Sequence, residues 1–187
     1  MQEDVPVLSE GLFEVFGGGS WVFLPAAPVH VVAAALRADV VSDGHPWGEN
    51  PHVGEGASVL VLTAPINGWM LLQGASETVG GAAATLSERQ PVFRATIDVR
   101  LPTMSWAYLD GGMPMRTVSV ELGDEGDLVT RTAGDPLPFE SEHLVCPTSE
   151  YGYDSYFYPV AILGHHGLGL GSLEEALLRP SVTLRLP

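Results

Sequence analysis

The sequence predicts an α+β fold: a mixed, mainly antiparallel sheet of six to eight strands, with two main helices packed on one face. Three observations favour this fold class. Apolar and polar residues alternate with period two along Val92–Leu101, as they do in a half-buried strand. Turn signals at Asn67-Gly68 and at Asp110-Gly111-Gly112 separate consecutive β-prone runs. Ala-rich segments at 28–38 and 78–89 favour helix.

The first half of the chain is predicted to contain three strands, one helix and one long loop. Pro25 ends the first strand, and Pro28 suits the first turn of the helix that follows it. The loop is rich in Gly, Pro and Asp, and its length exceeds an ordinary connection, so it is expected to be functional or mobile. The expected elements are a strand at Trp21–Leu24, a helix at 28–38, a loop at 42–57, a strand at Ser58–Thr63 and a returning strand at Trp69–Gln73.

The second half is predicted to continue with a helix, a β-meander and a C-terminal extension. Gly80-Gly81 weaken the helix, and Ser172 is the expected N-cap of a later one. The expected elements are a helix at 78–89, strands at Val92–Leu101, Ser105–Leu109, Met115–Leu122, Leu128–Thr132 and Val160–Leu163, a helix at Ser172–Leu178 and an edge strand at Val182–Leu186. We predict one domain over residues 1–187, with a central strand–helix–meander block at 58–142 and a C-terminal extension at 143–187 packed on it.

The charge balance narrows the classes of partner. The formal net charge is −15, and all eight basic residues are arginine. The lack of lysine excludes a Schiff-base lysine and a phosphate-loop lysine. A charge this negative repels nucleic acid and anionic membrane surfaces. It favours a basic protein partner or a metal ion, although solubility alone would also account for it.

Cysteine content and hydropathy indicate the compartment. Cys146 is the only cysteine, so no internal disulfide forms, as is usual in a reducing compartment. The first ten residues are acidic and lack the pattern of a signal peptide. The longest apolar stretches, near Val29–Leu36 and Ala57–Ile66, are too short for a membrane span. We therefore expect a cytoplasmic protein.

The 42–57 loop contains one candidate metal site. Carboxylate and imidazole side chains are ligands that suit Zn²⁺ or a related divalent ion. The candidate ligands are Asp43, His45, Glu49 and His52. Their spacing matches no strict metal-binding template, and the alternative is an ordinary solvated or partner-binding loop.

A second candidate site is an acidic region followed by tyrosines. Negative charge would attract a basic partner, and tyrosine supplies contact area at interfaces. The candidate partner-binding residues are Glu121, Asp124, Glu125, Asp127, Glu140, Glu142, Tyr151, Tyr153 and Tyr156. The alternative is a set of solvated turns beside core aromatic residues. No residue pattern in the chain designates a catalytic group.

Several short motifs in the central block follow one another in a recognisable order. Gly68-Trp69-Met70-Leu71 precedes Leu86-Ser87, and Gly112 and Arg116 form a G-x-x-x-R pattern in the hairpin. Gly134-x-Pro136-x-x-x-Glu140 completes the series. Over residues 58–142 the chain resembles small uncharacterised cytosolic proteins of high-GC bacteria, some of which are similar to immunity proteins of polymorphic toxin systems. The resemblance implies a mixed α+β fold and brings no catalytic residues with it.

Together these features predict a binding protein rather than an enzyme. The leading hypothesis is an acidic protein-binding module of the immunity or inhibitor kind, which occludes a basic partner. The first alternative is a small metal-dependent or ligand-binding enzyme that uses the 42–57 loop. The second is a structural or assembly subunit.

Overall fold

The computed structural model describes residues 9–53, 56–101, 103–123, 127–140 and 158–187. Within them the α-helices are α1 (Glu10–Phe16), α2 (Val29–Leu36), α3 (Ser76–Ser87), α4 (Tyr158–His165) and α5 (Leu170–Leu177), and a 3-10 helix spans Trp47–Glu49. The strands are β1 (Gly18–Pro25), β2 (Asp39–Pro46), β3 (Val59–Thr63), β4 (Trp69–Gly74), β5 (Val92–Asp98), β6 (Thr103–Asp110), β7 (Met113–Leu122), β8 (Leu128–Ala133) and β9 (Pro180–Arg185).

All nine strands form one sheet, in the order β2-β9-β3-β4-β1-β5-β6-β7-β8. Every neighbouring pair is antiparallel. The predicted α+β class is confirmed. Nine strands exceed the expected sheet of six to eight by one. Strand β2 forms partly inside the segment that was expected to be a loop, whereas the expected strand at Val160–Leu163 is not part of the sheet.

Two hydrophobic cores lie on opposite faces of the sheet. On one face, α2 and α3 pack against apolar residues of β1, β3, β4 and β9, such as Leu24, Leu60 and Leu184. On the other face, α1, α4 and α5 cover a core that contains Trp21, Phe93 and Trp106. The helices therefore cover both faces, whereas the sequence indicated two main helices on one face.

A buried polar bridge joins the second layer of helices to the sheet. The side chain of Gln73 on β4 donates its amide N–H to the carbonyl of Val15, 2.7 Å away, at the end of α1. Its amide oxygen accepts the indole N–H of Trp47 at 3.0 Å. Each buried polar atom of the glutamine is thereby paired, which avoids the cost of burying an unpaired amide.

The prediction of a loop over residues 42–57 is wrong in its N-terminal part. Residues 39–46 form β2, which pairs with β9 through a register that shifts twice, between Val40 and Ser42 and between Asp43 and His45. These bulges accommodate Gly44, whose φ is +88°. The Gly- and Asp-rich composition that predicted a loop thus belongs to an irregular edge strand.

The C-terminal extension also differs from expectation. The expected strand at Val160–Leu163 is helical, within α4, because a short apolar run is compatible with either state and its neighbours decide. The next helix begins after Gly169, so Ser172 lies inside it rather than at its N-cap. The final strand β9 lies between β2 and β3, in the interior of the sheet rather than at its edge. None of the helices within the described ranges has the length and apolar character needed to cross a membrane.

Candidate functional site

The proposed metal ligands are spread along two different elements. Asp43 and His45 lie on the irregular strand β2, Glu49 ends the 3-10 helix, and His52 lies in the turn after it. Across the described ranges, no group of three or more His, Cys, Asp or Glu side chains is arranged to hold a metal ion. The structure does not bring these four side chains together as a ligand set, and the metal site stays a prediction.

Amide and hydroxyl hydrogen bonds fix this part of the chain instead. The buried side chain of Asn50 donates to the hydroxyl oxygen of Ser181 on β9 at 2.8 Å. The Ser181 hydroxyl donates to the backbone carbonyl of His45 at 2.9 Å, and the His52 amide donates to Asn50 Oδ1 at 2.8 Å. This chain of bonds ties the 3-10 segment to the sheet without a metal.

The acidic candidate region divides into exposed and buried members. Glu121 at the end of β7 and Asp127 just before β8 are exposed, so both can meet a partner. Glu140 is not, because its side chain is only 2% exposed. The remaining candidates lie outside the described residues: Asp124, Glu125, Glu142, Tyr151, Tyr153 and Tyr156.

Glu140 forms a buried ion pair with Arg116 of β7. The Arg116 Nε and Nη2 atoms donate to the two carboxylate oxygens at 3.0 and 2.8 Å, in the bidentate geometry of a strong pair. Glu140 Oε1 also accepts the Leu137 amide at 2.8 Å, and Arg116 Nη1 donates to the Gly134 carbonyl at 2.8 Å. The assignment of Glu140 to a partner surface is therefore corrected: its charge is satisfied inside the protein.

Gly134 is required where the chain leaves β8 to reach this ion pair. Its φ is +80°, and a Cβ atom there would collide with the Met115 carbonyl oxygen. Arg116, Gly134 and Glu140 are the defining residues of two short motifs identified in the sequence. The structure shows that they form one unit, in which the segment after β8 is folded back and held against β7.

Large apolar side chains are exposed along β7. Met113 is 64% exposed, Met115 is 56% exposed and Leu122 is 50% exposed. Met115 lies where the pairing with β6 shifts register between Tyr108 and Leu109, which places an extra residue in β7. Met113 and Met115 lie together at the start of β7, whereas Leu122 lies at its other end.

The β5–β8 half of the sheet has a polar face on the side where α2 and α3 pack. Cα pairing aligns Thr96, Ser105, Ser119 and Arg131 across four strands, and Arg94 aligns with Thr117 one row further along. In the described part of the chain no helix covers this area, which forms an open groove of about 260 Å³. We call it the polar groove, and its polar lining residues are Arg94, Ser105, Thr117, Ser119 and Arg131.

The polar groove contains two guanidinium groups, those of Arg94 and Arg131. Within the described ranges, neither Arg94 nor Arg131 makes a hydrogen bond or an ion pair through its side chain. Arg94 is half-buried and lies close to α3, since a Cβ atom at Gly80 would be 3.2 Å from its Nη1 atom. The sequence placed Arg94 and Thr96 on the polar side of one strand, but it did not indicate that Arg131 joins them.

An aromatic cluster surrounds His166 between α4 and α5. Phe23 stacks on Trp69 with ring centroids 4.2 Å apart, and both rings lie 5.6 Å from His166. Phe139 approaches the same imidazole at 5.3 Å. Burial lowers the pKa of His166 below its ordinary value, and the neighbouring His165 lowers it further. A neutral imidazole in this setting packs as a fourth ring.

No protein-family model, curated protein or solved structure matches this chain. We therefore infer its function from the charges, exposure and contacts of the described residues alone.

Proposed function

We propose that this protein is a binding protein of the immunity or inhibitor kind, and that the β7–β8 end of the sheet contacts a basic protein partner. The observation that supports the proposal is the combination of exposed carboxylates with the exposed side chain of Leu122 at that end. Glu121 and Leu122 close β7, and Asp127 precedes β8 directly opposite. Leu122 is half exposed although it lies in a strand.

The two kinds of side chain have separate roles in such a contact. Carboxylates attract a basic surface over about 8–10 Å at ordinary ionic strength, which raises the association rate. Apolar side chains supply the area that is removed from water once the partner has docked. Methionine adapts to irregular surfaces, so Met113 and Met115 at the other end of β7 suit the same contact.

The length of this surface is appropriate for a protein partner. Strand β7 has 10 residues, which corresponds to a length of about 34 Å at 3.4 Å per residue. An interface of standard size buries about 800 Å² on each partner, which is a patch roughly 30 Å across. A contact along β7 has the length of such a patch but, at about 4.8 Å, only the width of one strand, so neighbouring strands must contribute for it to reach the standard size.

The proposal is tested by cross-linking and charge substitution. A carbodiimide joins exposed carboxylates to lysines of a bound protein, so cross-linking in extracts of the source cells should place Glu121 and Asp127 at the contact. The double substitution Glu121→Gln, Asp127→Asn should abolish recovery of the same partner, and added salt should reduce it.

The matched control is Asp39→Asn, Asp43→Asn, which removes two exposed carboxylates from β2 at the opposite edge of the sheet. It changes the net charge by the same amount and should leave recovery unchanged. Equal loss with both double variants, or a complex indifferent to salt, would contradict the proposal.

A further inference from the structure

We propose that the polar groove binds an extended acidic peptide segment, whose carboxylates pair with Arg94 and Arg131. This inference concerns the opposite charge from the contact proposed at the β7–β8 end, on a groove that adjoins that contact and shares strands β7 and β8 with it. It rests on a separate observation, the arrangement of side chains on the β5–β8 half of the sheet.

The first step is the state of the arginines in the described ranges. Three of the eight are occupied: Arg116 pairs with Glu140, Arg100 with Asp98, and Arg179 with Glu175. Arg94 and Arg131 are among the five that have no such partner there, and these two line one groove. Two unneutralised guanidinium groups in one groove are complementary to an anionic ligand.

The second step is the spacing of the two arginines. Arg94 and Arg131 lie three inter-strand distances apart, about 14 Å at 4.8 Å each, and are offset by two residues along the strands, about 7 Å, so their Cα atoms are about 16 Å apart. In an extended peptide, side chains four residues apart lie on the same face about 13–14 Å from each other. One peptide that crosses the strands diagonally can therefore present a carboxylate to each arginine, because the long side chains of arginine and glutamate span the remaining difference.

The third step is the lining between the arginines. Ser105, Thr117 and Ser119 supply hydroxyl groups that both donate and accept hydrogen bonds. These groups match the alternating N–H and C=O groups of a peptide backbone, which an extended segment leaves unpaired. The groove is open at the surface rather than enclosed, as is suitable for a chain that enters and leaves it.

Glu121 places a negative charge beside the polar groove. Its Cα partner on β8 is Val129, two residues before Arg131, so its carboxylate lies at the β7 end of the polar groove. An acidic peptide is repelled by that carboxylate. Removing its charge should tighten peptide binding, whereas the same substitution should weaken the contact proposed with a basic partner. The substitution therefore has opposite expected effects in the two proposals, and either one can be contradicted while the other stands.

The test is fluorescence anisotropy with the full chain and a labelled, end-blocked peptide Glu-Thr-Thr-Thr-Glu. The matched peptide with Gln at both ends should not bind. Arg94→Gln and Arg131→Gln should each weaken binding of the acidic peptide by about tenfold, the size of one lost charge-assisted hydrogen bond. Glu121→Gln should strengthen it.

The control variant is Arg89→Gln, since Arg89 is exposed just beyond α3 and does not line the groove. It removes the same charge and should leave binding unchanged. A second groove variant, Ser119→Tyr, fills the floor without altering charge and should abolish binding. Thermal melting of each variant checks that it is folded.

Three results would overturn the inference. The first is equal weakening by Arg89→Gln and the groove variants, which would indicate attraction by overall charge. The second is equal binding of the Gln peptide. The third is binding of a short single-stranded oligonucleotide that is lost in the Arg94 and Arg131 variants, together with no binding of the acidic peptide.

Discussion

The ion pair between Arg116 and Glu140 is the most constrained contact between two side chains in the described residues. The two side chains are 5% and 2% exposed, and both carboxylate oxygens are bonded to the guanidinium. Charges in this position are costly to bury, and they are tolerated because each is neutralised by the other. The pair also anchors the Leu137 amide and the Gly134 carbonyl, so it fixes the path of the chain after β8.

Glu140→Gln should destabilise the protein by about 3 kcal/mol, because it leaves the buried Arg116 charge without a counter-ion. Chemical denaturation gives the free energy of unfolding. Arg100→Gln is the matched control, since the Arg100 side chain is 80% exposed in its ion pair with Asp98. We expect little change from the control, because solvent screens an exposed pair.

A double substitution separates neutralisation from packing. Arg116→Met combined with Glu140→Gln should be less destabilising than Glu140→Gln alone, since no charge then stays buried. If the double variant is the less stable of the two, the hydrogen bonds of Arg116 to the backbone matter more than the pairing of charges.

At the level of single elements, the two glycines of α3 differ in their packing environment. Gly80 and Gly81 weaken the helix by propensity, and only one of them has a structural reason to be glycine. A Cβ atom at Gly80 would approach Arg94 Nη1 to 3.2 Å, whereas nothing lies within 4 Å of one at Gly81. Gly80 thereby leaves room for the guanidinium group at the border of the polar groove.

Gly81→Ala should stabilise the protein by about 0.5–1 kcal/mol, the difference in helical propensity between glycine and alanine. Gly80→Ala should gain less, because its methyl group displaces Arg94. Thermal melting of the two variants side by side measures the difference. Equal gains would mean that Arg94 moves aside at no cost.

Strands with alternating polarity were predictable from sequence, and apolar or irregular segments were not. The alternation along Val92–Leu101 identified β5, although the strand ends at Asp98. The predicted hairpin on Asp110-Gly111-Gly112 is present as β6 and β7, since both glycines have positive φ. By contrast, β2 has the composition of a loop, and α4 has an apolar run that is typical of a strand. The secondary structure of each segment is decided by the surface on which it packs.

At the scale of the whole molecule, the sheet depends on a strand from the C-terminus. Strand β9 lies between β2 and β3, so residues far apart in sequence complete one half of the sheet. Leu184 of β9 is fully buried between Val40 and Leu60 in the pairing. Strand β9 of the C-terminal extension is therefore an integral part of the sheet rather than an addition to its surface.

Leu184→Ala should lower the free energy of unfolding by about 3 kcal/mol, through lost burial and the cavity that it leaves. Leu178→Ala is the matched control, because Leu178 is 79% exposed just before β9. Its effect should stay within about 0.5 kcal/mol, as for other exposed positions. A small effect of Leu184→Ala would mean that the β9 strand contributes little to the core.

The sequence alone determined the fold class, the polar and apolar sides of β5, and the excess of negative charge. These properties depend on residue type and on local periodicity, both of which can be read from a short stretch of sequence. The tertiary structure decided that Glu140 is buried, that β9 is internal and that Arg94 and Arg131 share a groove. Each of these depends on contacts between residues distant in sequence, such as Arg116 with Glu140, 24 positions apart, and Val40 with Leu184, 144 positions apart. Local periodicity has no information at that range, because pairing partners are selected by packing of the whole sheet.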